Sequence, residues 1–171
     1  VDEETGANAP MKSILSFAKE QFDYIVIDTA HLVDSVFLAA FDLSDLVLVL
    51  TRPIIPEIRG ARLFLELLQK MEYPLDEQVG LIINSVDNKR MGIQPEAIER
   101  AMMPALAHIP LDERSALRAA NYGVPIITQN AKSPIGQAML NLAELVHEKL
   151  SKAEEKDEQE KPQHAGRGRL L

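Results

Sequence analysis

The sequence predicts an α/β fold, an open parallel sheet with helices on both faces. Several segments have uninterrupted apolar cores, which is typical of strands that are buried on both faces. Segments of helical period separate these apolar runs along the chain, in the order that a parallel sheet requires. Prolines, a serine and a glycine stand where the helical segments begin or end, as helix-terminal signals do.

Composition suits one domain and excludes some classes of protein. The chain has 171 residues, 46% of them hydrophobic, with a net charge of −8. An acidic protein is repelled by the phosphates of nucleic acid, so we expect no nucleic-acid partner. There are no cysteines, which excludes disulfides and thiolate metal sites. No apolar run reaches the ~18 residues of a membrane span. The chain begins with Val1, for which a cut fragment or an unusual start codon is the expected explanation.

The first half of the chain predicts two strands among three helices. Segment 9–21 has apolar residues at Met11, Ile14, Leu15 and Ala18, one face of a helix. The strand at 23–29, "DYIVIDT", has no polar residue inside its centre. A short helix follows at 33–44, with Asp34 as a candidate cap. The second strand is 45–51, and a long helix with proline near its start covers 56–71.

The second half continues the alternation. Strands are predicted at 79–86 and 105–111, with a short edge strand at 124–129, and helices at 94–102, 112–123 and 133–150. Gly123 is a candidate left-handed cap, and Ser133 with Pro134 forms an N-terminal signal. We expect residues 1–10 to be disordered or a residual linker and 11–150 to form the domain. The polar segment 151–171 is expected to be a disordered tail.

Ligands of open α/β sheets bind beyond the carboxyl ends of the strands. The residues that the prediction places at this edge are Asp28, Thr29, Thr51, Asn84, Asp87, Pro110 and Asp112. An aspartate after four apolar strand residues, as at Asp28, has the Walker-B layout, in which a carboxylate holds Mg²⁺ beside phosphates. The alternative is an ordinary strand-ending aspartate that caps the next turn. Asn84 offers the donor and acceptor that suit a purine edge, and the alternative there is a turn-forming asparagine.

The four histidines suggest no catalytic or metal site. His31 reads as a loop residue, since no second histidine stands at metal-ligand spacing, and His108 is predicted to be a satisfied core residue. His147 and His164 fall at surface and tail positions.

Over residues 11–148 the order of these segments resembles the carboxy-terminal half of MinD/ParA-type ATPases, the deviant Walker-A group. The matching stretches are "FDYIVIDT", "DLVLVLTRPIIPEIRG", "VGLIINSVDN", "IPLDERSALRAANYGVPII" and "SPIGQAMLNLAELV". The branch that they resemble most is CpaE/TadZ, linked to pilus assembly and polar placement. The resemblance implies a P-loop NTPase fold of the SIMIBI type that lacks its N-terminal P-loop strand, with 11–150 as the Walker-B half.

The resemblance also implies a site and partners. Asp28 matches the family's Walker-B aspartate, which holds Mg²⁺. Asn84 matches the asparagine that contacts the purine of ATP, and Pro110, Leu111 and Asp112 match the loop on the other side of the base. A homodimer of the intact protein, protein partners in a pilus or positioning system, and a cytoplasmic location with at most peripheral attachment at the inner membrane or cell pole are implied as well.

Two departures from the family pattern limit the expected activity. Ala30 and His31 stand where the family usually has a proline after the Walker-B aspartate. No Lys- and Gly-rich phosphate loop occurs in these residues, and "TGANAP" at 5–10 has one glycine and no lysine. Backbone N–H groups and a lysine are what hold the β and γ oxygens. We therefore expect the parent protein to be an ATPase and this chain alone to be inactive, with no residue assigned as catalytic.

In the family the phosphate-loop strand lies between the strands that correspond to 23–29 and 45–51. Without it, these two segments flank an empty slot, and unpaired strand edges invite pairing with other chains. We expect the two strands to close up and pair directly, in a sheet of four or five strands and of marginal stability. The alternative outcome is a chain that is unstable or oligomeric alone. A non-catalytic interaction or scaffold module is the alternative to a partial ATPase.

Overall fold

A computed structural model describes residues 9–29, 34–87 and 92–160 of the chain. Within these residues it contains three strands and eight helices. The strands are β1 (Val47–Thr51), β2 (Val79–Val86) and β3 (Ala105–Pro110). The helices are α1 (Ala9–Gln21), α2 (Ser35–Asp42), α3 (Ile55–Lys70), α4 (Leu75–Gln78), α5 (Pro95–Ala101), α6 (Glu113–Tyr122), α7 (Ile126–Asn130) and α8 (Pro134–Glu160). They fall into two compact units, Val1–Val47 and Leu48–Leu171, where the sequence suggested one domain.

The first unit is a pair of packed helices. The side chain of Asp34 caps α2, as predicted, by accepting a hydrogen bond of 2.8 Å from the backbone N–H of Phe37. Leu15 of α1 and the Ala39–Phe41 stretch of α2 are buried. An exposed ion pair joins Lys19 and Asp45 at 3.5 Å. The small apolar contact between α1 and α2 accounts for this unit's core.

The predicted strand at 23–29 does not form. Residues 24–29 have no regular secondary structure, and no strand in the described part of the chain pairs with them. Val26 is 94% exposed, and Phe22 and Tyr24 are more than half exposed. An apolar segment becomes a strand when a neighbouring strand supplies its ladder of hydrogen bonds, and none of the three described strands does so. The expected direct pairing of 23–29 with 45–51 is therefore wrong.

The second unit contains the sheet, in the order β1-β2-β3. The central strand β2 is buried along its first five residues, Val79–Ile83. It runs parallel to β3, with Leu81 opposite Ala105 and Val86 opposite Pro110. A cluster of buried isoleucines, Ile82, Ile109 and Ile135, joins the sheet to α8, with Ala107, Ile126, Ala138 and Leu142 packed around it. The predicted fold class, an open parallel sheet with helices, is confirmed.

β1 lies at an edge of this sheet and is buried on one face only. Val49 and Thr51 are buried, whereas Leu48 is 37% and Leu50 is 60% exposed. The sequence predicted burial on both faces because all of 46–50 is apolar. The alternating exposure shows that one face of β1 has no complete cover.

Two helix-terminal signals, a glycine and a serine, act as predicted in the last helices. Gly123 ends α6 in the left-handed conformation, with φ of 64°. The Ser133 hydroxyl accepts a 3.1 Å hydrogen bond from the N–H of Gly136 and donates one of 2.7 Å to the carbonyl of Asn130, so it caps α8. Gly136 sits so close to the preceding turn that an added Cβ would lie 2.5 Å from the Asn130 carbonyl oxygen.

Two boundaries differ from the prediction. Residues 124–129 were predicted as an edge strand, but α7 forms there. Pro125 starts a helical turn, because its carbonyl oxygen accepts hydrogen bonds from the backbone N–H groups of Thr128 and Gln129. α8 continues ten residues past Leu150, to Glu160. Polar residues extend a helix whose first turns are packed, and Lys152 lies 3.7 Å from Glu148 one turn earlier.

Residues 1–8 and 161–171 lie outside the described residues. No helix of the described ranges has the length and apolarity that a bilayer crossing needs.

Candidate functional site

The candidate site is built where the carboxyl ends of β2 and β3 adjoin. Val86 and Pro110 are register partners at these ends, and the backbone N–H of Leu111 donates to the Val86 carbonyl at 3.0 Å. This hydrogen bond joins the two strand-end loops. Four predicted residues, Asn84, Pro110, Leu111 and Asp112, therefore occupy one edge of the second unit.

Asn84 has a local structural partner. Its side-chain oxygen accepts a 2.8 Å hydrogen bond from the backbone N–H of Ser85, and Ser85 itself has a left-handed φ of 59°. The amide thus stabilises a strained strand end, as the turn-forming alternative proposed. An amide oxygen has two lone pairs and the amide nitrogen donates, so this bond leaves chemical capacity for a ligand.

The loop at 110–112 presents one apolar side chain and one carboxylate. Leu111 is 46% exposed, which allows apolar contact with a flat ring. Asp112 caps α6 by accepting from the N–H of Ser115 at 2.9 Å. Hydrogen bonds from Ser115, its side chain first and its backbone second, hold the pKa of Asp112 below its ordinary value. Asp112 is therefore held as a carboxylate by α6.

An open cavity of about 370 Å³ lies beside Pro110. Its lining is Val86, Asp87, Gln94, Pro95, Glu96, His108 and Pro110. His108 was predicted to be a core residue, but its side chain is 42% exposed, and its Nε2 lies 3.1 Å from Glu99 Oε1. The same carboxylate oxygen accepts from the N–H of Ala105 at 3.1 Å. Glu99 reaches His108 across the α5–β3 turn, so the histidine is satisfied at the surface.

The carboxylates of Asp87 and Glu96 give this cavity an acidic character. It suits a donor-rich group better than an anion. Among the residues that the structure describes, no cluster of three or more histidine, aspartate or glutamate side chains could hold a metal ion.

Asp28 belongs to the first unit. It is exposed near the end of segment 22–29, which has no regular secondary structure. Residues 30–33, which include the departures at Ala30 and His31, lie outside the described residues. The structure brings four of the five predicted site residues together in the second unit, and Asp28 is not among them.

Sequence reasoning missed an ion pair that follows β1. The Arg52 guanidinium forks onto Glu57, with Nε 2.8 Å from Oε1 and 3.0 Å from Oε2. The N–H of Arg52 also donates to Glu57, at 3.1 Å. Hydrogen bonding to Glu57 raises the pKa of Arg52, and hydrogen bonding to Arg52 lowers the pKa of Glu57. The signal was the "TRPIIPE" spacing, in which proline-rich residues turn the chain back on itself.

The pair closes the turn between β1 and α3. Beside it, Thr51 is buried and donates to the carbonyl of Arg52 at 3.2 Å. Thr51, which was predicted to lie at the ligand-binding edge of the sheet, thus stabilises this turn.

Comparison with known sequences identifies relatives of one kind. No protein-family model matches the chain. The septum site-determining protein MinD of Thermotoga maritima is 30% identical over 138 residues, which cover 78% of this chain and 50% of the relative. MinD of Bacillus subtilis is 26% identical over 146 residues, 83% of this chain and 53% of the relative. The chain thus spans about half the length of these curated relatives.

Solved structures agree on the fold. MinD of Pyrococcus horikoshii, complexed with Mg-ADP, superposes with a TM-score of 0.68 at 24% identity, covering 85% of this chain and 60% of that one. The MinC:MinD cell division complex of Aquifex aeolicus gives 0.69 at 21% identity, covering 81% and 57%. A ParA family ATPase from Chlorobium tepidum gives 0.68 at 23% identity, covering 80% and 55%.

Proposed function

Because the chain has the fold of MinD/ParA-type ATPases and is homologous to about half of such a protein, we propose that it is the base-binding half of an ATP-dependent positional switch. The observation that carries the proposal is the Leu111–Val86 hydrogen bond, which holds the two loops with candidate base contacts at one edge. In this proposal Asn84 hydrogen-bonds the purine edge, while Pro110, Leu111 and Asp112 line the ring. Asp28 holds Mg²⁺ in the intact protein.

The phosphates of the nucleotide are the part that this chain does not hold. Its 171 residues contain no Lys- and Gly-rich phosphate loop. In the second unit, the candidate base site adds the carboxylate of Asp112 and the acidic cavity beside Pro110, which repel a triphosphate. The chain by itself is therefore expected not to hydrolyse ATP, and to bind the base and ribose no less well than the whole nucleotide.

We also propose a biological setting for the intact protein. The CpaE/TadZ-like order of segments supports a role in pilus assembly or polar placement, with a homodimer and protein partners of that system and peripheral association with the membrane at most. Nucleic acid is not expected as a partner. On α3, Arg62 is paired with Glu66 at 2.9 Å. Just before α3, Arg52 is paired with Glu57.

A second candidate function, a non-catalytic interaction module, is favoured by a specific observation. Asn84 and Asp112 both have structural partners, the N–H groups of Ser85 and Ser115. A chain that no longer binds nucleotide would keep these two residues only because they stabilise the turn and cap the helix.

Titration with adenosine and with Mg-ATP separates the two candidates. The base-binding proposal predicts that adenosine binds weakly but measurably by NMR, with shifts at Asn84 and Leu111. Asn84→Ala should weaken binding about tenfold, equivalent to about 1.4 kcal/mol. Asn141→Ala, an exposed asparagine on α8, is the matched control. Binding that is absent, or that survives Asn84→Ala unchanged, would favour the interaction module.

A further inference from the structure

A groove lies between α6 and α7, inside the second unit. Its volume is about 430 Å³, and it opens to solvent. Helix α6 contributes Arg118 and Tyr122 to its lining, α7 contributes Ile126 and Gln129, and Val124 comes from the segment that joins the two helices. None of its lining residues belongs to the acidic cavity or to the candidate base site. The groove is therefore a separate feature of this unit, with its own chemistry.

Arg118 is the cationic group of this groove. Its guanidinium carbon lies 5.9 Å from the centroid of the Tyr122 ring, one helical turn later, which is within the range of a cation–π contact. No ion pair joins Arg118 to a carboxylate among the residues that the structure describes. The ring restricts the long side chain, so less conformational entropy is lost when the guanidinium binds a partner. Its planar set of donors is suited to a carboxylate.

The surroundings of the groove are basic, although the chain as a whole has a net charge of −8. Residues 114–143 cover most of α6, all of α7 and the first turns of α8, and they contain no aspartate or glutamate. The charged residues of this stretch are Arg114, Arg118 and Lys132. Charges act over about 8 Å at physiological ionic strength, so a ligand in the groove meets this local positive charge more than the distant acidic residues.

The groove also offers apolar surface beside the cation. Tyr122 is 73% and Val124 is 36% exposed, and arginine and tyrosine are the residues most enriched at the centres of protein interfaces. We infer that this groove binds a short acidic segment of a partner protein. One carboxylate of the segment pairs with Arg118, and a neighbouring apolar side chain packs against Tyr122 and Val124. Nucleic acid fits less well, since a long polyanion is repelled by the acidic body outside the groove. The inference does not rest on the proposed nucleotide role.

Fluorescence anisotropy of a labelled pentapeptide, Glu-Glu-Phe-Glu-Glu, titrated with the full chain tests the inference. The peptide should bind saturably, and Arg118→Ala should weaken binding about tenfold because a charge-assisted pair is lost. Arg118→Lys should also weaken it, since an ammonium group cannot donate in the same fork. Arg59→Ala is the matched control, because it removes an equal charge from an exposed arginine on α3 and should leave the affinity unchanged. Circular dichroism verifies that each variant is folded.

Changes in the peptide separate its two contacts. Glutamine in place of every glutamate should abolish binding, and glycine in place of phenylalanine should weaken it. Tyr122→Phe retains the ring and should bind as the wild type does, whereas Tyr122→Ala should lose affinity for the phenylalanine peptide. Three outcomes overturn the inference: no binding at peptide concentrations on the order of 1 mM, equal losses in Arg118→Ala and Arg59→Ala, and displacement of the peptide by a single-stranded oligonucleotide that binds more tightly.

Discussion

At the scale of single residues, one lysine ties distant parts of the second unit together. The Nζ of Lys149 on α8 donates to the carbonyls of Asp76 at 3.1 Å, Glu77 at 2.7 Å and Val79 at 3.4 Å. These carbonyls end α4 and begin β2, where a cation is favoured by the exposed acceptors. Desolvation lowers the pKa of Lys149. The three carbonyl oxygens nevertheless accept hydrogen bonds from its ammonium group, which favours the charged form.

Replacing Lys149 by methionine should destabilise the fold by about 1–2 kcal/mol, since the carbonyls lose a charged donor. Lys152→Met is the control, because its exposed pair with Glu148, at 3.7 Å, contributes less than about 1 kcal/mol. Urea unfolding measures both variants. An equal loss in the two would show that the three carbonyls are as well served by water.

Asp112 predicts a pH dependence at the same scale. Its pKa is lowered in the folded chain, so the cap contributes stability above the ordinary aspartate pKa of about 3.9 and loses it as pH falls through the lower, folded value. Asp112→Asn retains an acceptor for Ser115 and does not titrate. The difference in melting temperature between wild type and this variant should favour wild type at neutral pH and shrink on acidification. A difference that is constant with pH would contradict the cap's charge.

At the scale of elements, two glycines in helices predict opposite effects. Gly136→Ala places a Cβ 2.5 Å from the carbonyl oxygen of Asn130 and 2.9 Å from that of Ala131, backbone atoms that move only with the α7–α8 turn. We expect a loss of about 1–3 kcal/mol. Gly60→Ala, inside α3, meets nothing within 4 Å and should stabilise by about 0.5–1 kcal/mol. Thermal unfolding that gives the two variants the same sign would refute this packing.

Elements with strong local signals were predictable, and those that depend on a neighbour were not. β2 matched its predicted range because its first five residues, Val79–Ile83, form an apolar run that is buried at the centre of the sheet. Segment 23–29 also has an apolar centre, but it is not a strand of the described sheet. At 124–129 the proline-led turn outweighed the β propensity of its valine and isoleucines.

The candidate site was predictable to a similar extent. The strand ends placed Asn84 and the 110–112 loop on one edge, since parallel strands deliver their carboxyl ends together. Their hydrogen bonds to Ser85 and Ser115, and the Arg52–Glu57 fork, depend on turn geometry that the residue types alone leave open.

At the scale of the whole molecule, two segments keep exposed apolar side chains. They are 23–29, with Tyr24 and Val26 exposed, and β1, with Leu48 and Leu50 exposed. Each of the two units therefore has one apolar segment that is incompletely buried. The stability of the chain is therefore expected to vary along its length, highest at β2 and lowest at 22–29.

Hydrogen exchange followed residue by residue tests this variation. In dilute solution the amides of Leu81 and Ile83, whose side chains are fully buried, should exchange slowest, while those of 25–28 exchange at nearly unprotected rates. Protection of 25–28 equal to that of β2 would contradict this variation, because an amide exchanges slowly only where burial and hydrogen bonding shield it from water.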